Sequence, residues 1–175
     1  MRRILIVDDE KNIRLQLAGL LGDEGYRTVS VSDAEAGLER VAEDAPDLVL
    51  LDMMLPGITG LEALERIRAR GEDVPVILMS GQATVETAVK ATKLGAFDYL
   101  EKPFSDPRRV RQTLERALER RRLRTRNREL EGELGRRSAL SRVIAQSPAM
   151  KRVLQTVRDL ATNESNVLIE AESGT

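Results

Sequence analysis

Short apolar runs alternate with segments of helical spacing along the first hundred residues. The runs are rich in leucine and β-branched residues, which is typical of strands, and they span residues 4–7, 28–31, 48–51, 74–79 and, more weakly, 97–100. Between them, apolar residues recur every three or four positions, as in a helix with one buried face. Strands that alternate with helices predict right-handed crossovers and a parallel sheet covered on both faces. We therefore predict a doubly wound α/β domain.

Glycine and proline residues separate the predicted elements. They stand where turns are needed, and they are Gly25, Pro46, Gly57, Gly60, Gly71, Gly95 and Pro103. After Pro103 the pattern changes. A helix is predicted to begin near Asp106, with Pro107 in its first position, and to run toward Gly132 or Gly135.

Two apolar stripes lie along this last helix, and their phases do not match. The first stripe, which we expect to pack on the α/β domain, consists of Val110, Leu114 and Ala117. The second is a short heptad seam with one polar residue at a core position, and it consists of Leu123, Asn127, Leu130 and Leu134. This seam predicts a helical coiled-coil linker that pairs with another chain. The arginine-rich residues 108–128 are typical of a solvated helix face, and we expect no direct contact with nucleic acid.

Composition limits the possible chemistry. The chain has 175 residues and a formal net charge of -1, which allows one ordinary domain plus an appendage and gives no general attraction to nucleic acid. Cysteine and histidine are absent, which excludes disulfides, thiolate zinc sites and imidazole catalysis. No apolar run is long enough to span a bilayer, and the N-terminus lacks a signal peptide, so we expect a cytoplasmic protein without a membrane partner. Any chemistry of this chain must therefore use carboxylates, hydroxyls, lysine or a hard metal ion.

Polar side chains follow four of the five predicted strands. Asp8 and Asp9 come after the first strand, Asp52 after the third, Ser80 after the fourth and Lys102 after the fifth. The C-terminal ends of parallel strands share one edge of the sheet, where ligands bind, so we expect these groups to converge. Mg²⁺ prefers carboxylates, waters and phosphoryl oxygens as ligands, and lysine adds a second positive charge. The pattern predicts a site for Mg²⁺ and phosphate in which Asp52 can act as a nucleophile.

Each of these residues also has an ordinary structural interpretation. Asp8 and Asp9 taken alone are typical of a turn and the N-cap of a helix that begins near Lys11. Asp52 alone is equally a solvated loop residue, and a single serine or lysine is more often structural than functional. Their joint occurrence at the strand ends favours the phosphate site.

The motifs that carry these residues resemble the receiver domain of two-component response regulators. They are "DDE" after the first strand, "DMMLPGITG" after the third, "MSG" after the fourth and "FDYLEKPF" around the fifth. The resemblance covers about residues 1–120. It implies a CheY-like, flavodoxin-like sheet of five strands in the order 2-1-3-4-5, and phosphorylation of Asp52 by the phosphohistidine of a sensor histidine kinase.

The resemblance also implies the roles of the individual site residues. Asp9, Asp52 and the backbone carbonyl of Met54 would hold Mg²⁺, and Asp8 would assist through the waters of the metal. The Ser80 hydroxyl would hydrogen-bond the phosphoryl group, and the Lys102 ammonium would pair with it. The aromatic side chain of Tyr99 would swing inward as a switch. A tyrosine in a last strand is equally explained as a core residue with a solvated hydroxyl.

Residues 141–175 resemble the entry to the AAA+ ATPase domain of NtrC-type, sigma-54-dependent transcriptional activators. A helix is predicted over residues 148–161, followed by the strand "NVLIE" and the segment "AESGT". In that family a strand leads into a phosphate-binding loop of the form GESGTGKE. Here Ala171 stands where the first glycine is expected and the chain ends before the Gly-Lys pair. We therefore expect a fragment of a longer activator that does not bind ATP by itself.

These observations predict a regulatory module rather than an enzyme, with a receiver domain over residues 1–120, a linker over 121–140 and the start of an AAA+ domain over 141–175. Phosphorylation of Asp52 is expected to change the homodimer and so to control an activator that engages sigma-54 RNA polymerase through the missing AAA+ portion. Two alternatives stay open. One is a Mg²⁺-dependent phosphotransferase or phosphatase, weakened by Met54 where an acid–base aspartate is expected. The other is a dimerisation module that does not depend on phosphorylation.

Overall fold

The computed structural model describes residues 2–81, 85–141 and 147–160, and it leaves aside the side chains of Val85 and of residues 133–141 and 158–160. The chain forms two compact units, Met1–Thr125 and Arg126–Thr175. The predicted domain boundaries after residues 120 and 140 stay predictions. Among the described residues, no helix combines the length and the apolar character that crossing a membrane requires.

Five parallel strands form one sheet in the order β2-β1-β3-β4-β5. The strands are β1 (Arg3–Val7), β2 (Arg27–Val31), β3 (Leu48–Asp52), β4 (Val76–Ser80) and β5 (Asp98–Glu101). β1 pairs with β2 on one side and with β3 on the other. The chain order therefore reverses between β1 and β3, which is the switch point where open parallel sheets bind ligands. The predicted doubly wound sheet and its strand order are confirmed.

Helices cover both faces of this sheet. The first unit contains α1 (Lys11–Asp23), α2 (Ala34–Asp44), α3 (Gly60–Ala69), α4 (Val85–Lys93) and the first part of α5 (Pro107–Ser141). Successive strand residues point to opposite faces, so Leu5 and Val7 pack with α2, α3 and α4, whereas Ile4 and Ile6 pack with α1 and α5. The strands are apolar on both faces because both faces are buried.

Helix α5 is longer than predicted. It begins at Pro107 as expected, but it continues through Gly132 and Gly135 to Ser141. A glycine inside a helix costs only about 1 kcal/mol relative to alanine, and the surrounding leucine, glutamate and arginine residues are good helix formers. The prediction that the helix ends near these glycines was therefore wrong.

The two apolar stripes of α5 differ in burial. The first belongs to the core that α5 shares with α1 and consists of Val110, Leu114 and Ala117, so its predicted packing is confirmed. In the second stripe, Leu123 and Leu130 are 60% and 40% exposed, and Asn127 is exposed as well. The side chain of Leu134 lies outside the described residues. The coiled coil stays a prediction.

The second unit contains α6 (Pro148–Leu160). This helix agrees with the one predicted over residues 148–161. The predicted strand "NVLIE" and the segment "AESGT" lie outside the described residues. The resemblance of residues 141–175 to an AAA+ entry therefore stays a prediction here.

Candidate functional site

The C-terminal ends of β1, β3, β4 and β5 surround one open pocket of about 850 Å³. Asp9, Asp52, Ser80 and Lys102 line this pocket, and Asp8 lies buried beside Asp52 and Lys102. The structure thus brings the five predicted strand-end residues together. They meet because parallel strands present their carboxyl ends at one edge. These five residues form the acidic pocket.

Three carboxylates form the negatively charged part of the acidic pocket. Asp8, Asp9 and Asp52 each offer an oxygen, and these oxygens all lie within 4.8 Å of one another. Asp8 and Asp52 are 0% and 3% exposed, whereas Asp9 is exposed. The interpretation of Asp52 as a solvated loop residue is therefore wrong, because Asp52 is the buried last residue of β3.

The N-cap interpretation of Asp8 and Asp9 is also wrong. The N-cap residue of α1 is Glu10, and the backbone N–H of Glu10 donates to Asp8 Oδ1 over 2.9 Å. Asp8 in turn donates its own N–H to Val31 O over 3.2 Å. Asp8 therefore shapes the loop that precedes the helix, and its second carboxylate oxygen faces Lys102.

Lys102 supplies the positive charge of the pocket. Its Nζ lies 2.8 Å from Asp8 Oδ2, 3.1 Å from Asp52 Oδ2 and 3.4 Å from Glu10 Oε1. The Lys102 side chain is only 10% exposed and those of Asp8 and Asp52 are buried, so the ion pairs with these two aspartates are poorly screened by water. One ammonium group is thus shared by three carboxylates.

The pKa values of the buried pair reflect this environment. Burial raises the pKa of Asp8, because desolvation of the carboxylate outweighs the opposing effects of the nearby Lys102 ammonium and of the hydrogen bond from the Glu10 N–H. For Lys102, burial acts to lower the pKa, but the close contacts with the Asp8 and Asp52 carboxylates exceed it, so the pKa of Lys102 is raised. Lys102 is therefore positively charged at neutral pH, but its single positive charge does not balance the negative charges of the carboxylates around it.

A divalent cation fits this excess of negative charge. Asp8, Asp9 and Asp52 offer carboxylate oxygens, which are the donors that hard cations such as Mg²⁺ prefer. In addition, among the described residues Asp8 Oδ2 is buried without a hydrogen bond of acceptable geometry, although the Lys102 ammonium lies near it. This oxygen and its neighbours on Asp9 and Asp52 can accept a further positive group.

Three hydrogen bonds to backbone carbonyls hold the segments that follow β1 and β3. The segment after β1, which contains Asp8 and Asp9, is the acidic loop. The Arg14 guanidinium of α1 donates to Asp8 O over 2.6 Å and to Asp9 O over 2.9 Å. Gly60 donates its N–H to Met53 O over 3.0 Å, and a Cβ atom at Gly60 would lie 2.0 Å from Asp52 O. Gly60 is thus the buried first residue of α3, not a residue between elements as predicted.

The response regulator receiver domain is the family whose model matches this chain, over residues 4–115. The chain belongs to this receiver-domain family. The match includes every residue of the acidic pocket and most of the first unit. It accounts for the sheet order and for the position of the pocket at the switch point.

Three comparisons extend this assignment. Regulatory protein AtoC of Escherichia coli K12 is 37% identical over 175 residues, which is 100% of this chain and 38% of that protein. The crystal structure of NtrX from Brucella abortus superposes with a TM-score of 0.69 at 37% identity, covering 93% of this chain and 35% of that one. A receiver domain protein from Methanospirillum hungatei gives 0.66 at 30% identity, covering 71% of this chain and 98% of that one. The chain spans well under half of the first two.

Two predicted residues of the receiver domain lie at or beyond the border of the pocket. Met54 lines the pocket, with its side chain 75% exposed. Tyr99, in β5, is half-buried and packs against the core on the α4 side. Its hydroxyl is buried, and within the described part of the chain it has no hydrogen-bond partner. The interpretation of Tyr99 as a core residue is therefore confirmed, but its hydroxyl is buried rather than solvated.

Sequence reasoning missed several residues in and around the pocket, among them Glu10, Thr87 and Arg14. Glu10 and Thr87 line the pocket, and Arg14 holds the acidic loop. Glu10 belongs to the "DDE" motif, so its position beside Asp9 was a usable signal. The contacts of Arg14 go to backbone carbonyls, which no pattern of side chains reveals, and Thr87 reaches the pocket from α4 only through the tertiary fold.

Proposed function

We propose that Asp52 accepts a phosphoryl group from the phosphohistidine of a sensor histidine kinase, in a step that requires Mg²⁺. The observation that carries this proposal is the position of the Asp52 carboxylate at the buried end of β3, within 4.8 Å of two other carboxylates and 3.1 Å from Lys102 Nζ. In the step, an Asp52 oxygen forms a bond to phosphorus, the P–N bond of the phosphohistidine breaks, and its electron pair stays on the imidazole.

The other pocket residues prepare this transfer. Asp9, Asp52 and the backbone carbonyl of Met54 hold Mg²⁺, and Asp8 assists through water. The cation, when bound, offsets repulsion between the carboxylates and the incoming phosphoryl oxygens. The Lys102 ammonium and the Ser80 hydroxyl, which line the same pocket, bind and orient those oxygens.

Tyr99 is proposed as the switch residue that responds to phosphorylation. Its buried hydroxyl lacks a hydrogen-bond partner among the described residues, and such a group typically costs about 1–3 kcal/mol. Another position of the ring can recover that free energy. A phosphoryl group adds charge and strong acceptors at one point and so biases an element with two arrangements.

The proposal for the longer protein is a sigma-54-dependent transcriptional activator of NtrC type. Residues 1–120 are the receiver domain, 121–140 a linker that forms a homodimer through Leu123, Asn127, Leu130 and Leu134, and 141–175 the start of an AAA+ domain. The match of AtoC along the whole chain supports this organisation. The receiver domain itself acts as a regulator whose chemistry is limited to its own phosphorylation, and the AAA+ portion engages the RNA polymerase.

The test is intact-mass spectrometry after incubation with Mg²⁺ and acetyl phosphate. We expect one phosphoryl addition to the wild type and to Asp23→Asn, an exposed aspartate of α1, and none to Asp52→Asn or with excess chelator. Equal addition to Asp52→Asn would place the acceptor elsewhere. No addition to the wild type, either from acetyl phosphate or from a phosphorylated histidine kinase, would contradict the proposed function.

A further inference from the structure

Glu10 stands at the N-terminus of α1, but its side chain does not cap the helix. It is the N-cap residue of α1, yet its side chain makes no capping hydrogen bond within the described residues. Serine, threonine, aspartate and asparagine are the residues that cap well, because their short side chains reach the free N–H groups. The Glu10 carboxylate lies instead in the wall of the pocket, with Oε1 3.4 Å from Lys102 Nζ.

The three carboxylate partners of Lys102 differ in exposure. The side chains of Asp8 and Asp52 are 0% and 4% exposed, whereas that of Glu10 is 61% exposed. Glu10 also makes the longest of the three contacts. Among the described residues, the Lys102 ammonium makes a hydrogen bond of acceptable geometry with Glu10, and its contacts with Asp8 and Asp52 are ion pairs. Because Glu10 is the exposed partner, water or another acceptor can replace it at the smallest cost.

Glu10 is separate from the group of carboxylates that can hold a cation. That group, among the described residues, consists of Asp8, Asp9 and Asp52. The contact of Glu10 is with the ammonium alone, at the open side of the pocket. If Asp52 is phosphorylated as proposed above, the phosphoryl oxygens would use the same ammonium.

We propose that Glu10 is a positioning residue that holds Lys102 in the unphosphorylated receiver domain and competes with the phosphoryl group for it. The inference rests on the phosphorylation of Asp52 proposed above. Transfer to Asp52 then requires one ammonium hydrogen to leave Glu10 for a phosphoryl oxygen. Glu10 thereby slows phosphorylation, and it takes Lys102 back when the phosphoryl group is lost.

Two substitutions separate this role from a general charge effect. Glu10→Gln removes the charge, whereas Glu10→Asp keeps it but shortens the side chain by one C–C bond, about 1.5 Å, which takes the carboxylate away from a contact that is already 3.4 Å long. The control is Glu39→Gln, an exposed glutamate of α2. We expect both Glu10 variants to gain a phosphoryl group from acetyl phosphate roughly two- to fivefold faster than the wild type, the range set by an exposed ion pair. Glu39→Gln should keep the wild-type rate.

A second readout follows the ammonium directly. The NMR signal of the Lys102 ε-CH₂ group should shift in Glu10→Gln and Glu10→Asp before any donor is added, and it should stay in place in Glu39→Gln. The melting temperature should separate the two variants. Glu10→Asp should raise it, because aspartate is a better N-cap than glutamate and should stabilise α1.

The outcomes distinguish the two proposals. If the wild type is phosphorylated while both Glu10 variants keep its rate and its Lys102 signal, the positioning role is wrong and the phosphorylation of Asp52 stands. If Glu10→Asp behaved like the wild type, the effect of Glu10 would come from its charge and not from its contact with Lys102, and the positioning role would again be wrong. If the wild type takes no phosphoryl group from any donor, the proposed function fails, and the inference fails with it whatever the Lys102 signal does.

Discussion

Single residues of the acidic pocket show the cost of placing charge inside a protein. Burying a carboxylate is expensive unless a partner compensates it, and the raised pKa of Asp8 reflects that expense even with Lys102 beside it. Truncating Lys102 would leave Asp8 and Asp52 without their shared cation. The ion pairs with Lys102 therefore compensate part of the cost of burying these two carboxylates.

Gly60 determines how closely α3 approaches the end of β3. A Cβ atom there would meet Asp52 O at 2.0 Å, which is backbone and cannot yield like the end of a side chain. We expect Gly60→Ala to lower the free energy of unfolding by about 2–3 kcal/mol, as overpacking does, and to slow phosphorylation by displacing the Asp52 backbone. Urea denaturation followed by circular dichroism measures the first effect.

Gly19 is the matched control for that substitution. It lies inside α1, and nothing stands within 4 Å of a Cβ atom placed there. Gly19→Ala should therefore stabilise the protein by roughly 0.5–1 kcal/mol through helix propensity. If Gly60→Ala were as stable as Gly19→Ala, the close approach of α3 to β3 would not be a property of the protein in solution.

At the scale of the elements, α3 begins with side chains that cap it. Thr59 Oγ1 accepts from the Glu62 N–H over 3.3 Å, and Glu62 Oε2 accepts from the Thr59 N–H over 2.8 Å, which together form a capping box. The cap fixes the loop between β3 and α3, which carries Met53 and Met54 along the pocket. The hydrogen bond from the Thr59 N–H lowers the pKa of Glu62, and the hydrogen bond from the Thr59 hydroxyl lowers it further.

This lowered pKa predicts how the stability of α3 depends on pH. The pKa of Glu62 in the folded protein lies below its ordinary value of 4.5, so its contribution is complete above that value and is lost as the pH falls through the folded pKa. Glu62→Gln should therefore be less stable than the wild type at pH 7, and the difference should shrink below pH 4.5. Denaturation curves at a series of pH values measure this.

Glu65→Gln, an exposed position of the same helix, controls for the loss of a carboxylate from α3. Glutamine can still complete a capping box, so the geometry of the start of α3 is retained in Glu62→Gln. A stability difference between the wild type and Glu62→Gln that did not change between pH 7 and pH 3 would contradict the charged capping bond.

At the scale of the whole molecule, α5 is the element that leaves the receiver domain. Ion pairs tie its first part to the loops around the sheet, including Arg121 with Asp47 and Arg124 with Asp73. Such exposed pairs each contribute little, but the last of them lies one residue before the end of the first unit at Thr125. The second stripe of α5 begins at Leu123, one residue before Arg124.

That stripe predicts the oligomeric state. Leu123 and Leu130 are exposed apolar residues of α5, and we expect them to be buried against a second copy of the chain. The double variant Leu123→Lys, Leu130→Lys should sediment as a monomer under conditions where the wild type is dimeric, and Asp52 should still be phosphorylated. Glu131→Lys, an exposed position of α5 beside the stripe, is the control. A wild type that is monomeric with and without phosphorylation would reject the linker dimer.

Local patterns of sequence determined the fold and the main members of the pocket. Apolar runs, helical spacing and turn residues predict the order of elements, and the rule that ligands bind at the carboxyl ends of parallel strands points to Asp8, Asp9, Asp52, Ser80 and Lys102. This worked because strand ends share one edge whatever the details of packing. The end of α5 was missed because a glycine weakens a helix without necessarily ending it.

Only the tertiary structure decided which groups share a contact. Glu10 and Lys102 are 92 residues apart in the chain, Arg14 binds backbone carbonyls, and the need for glycine at position 60 comes from the backbone of Asp52. None of these contacts has a spacing or a periodicity that a sequence can display. They depend on distances set by how the helices pack on the sheet, so the strand-end residues of the pocket were predicted, whereas Glu10, Thr87 and Arg14 were found in the fold.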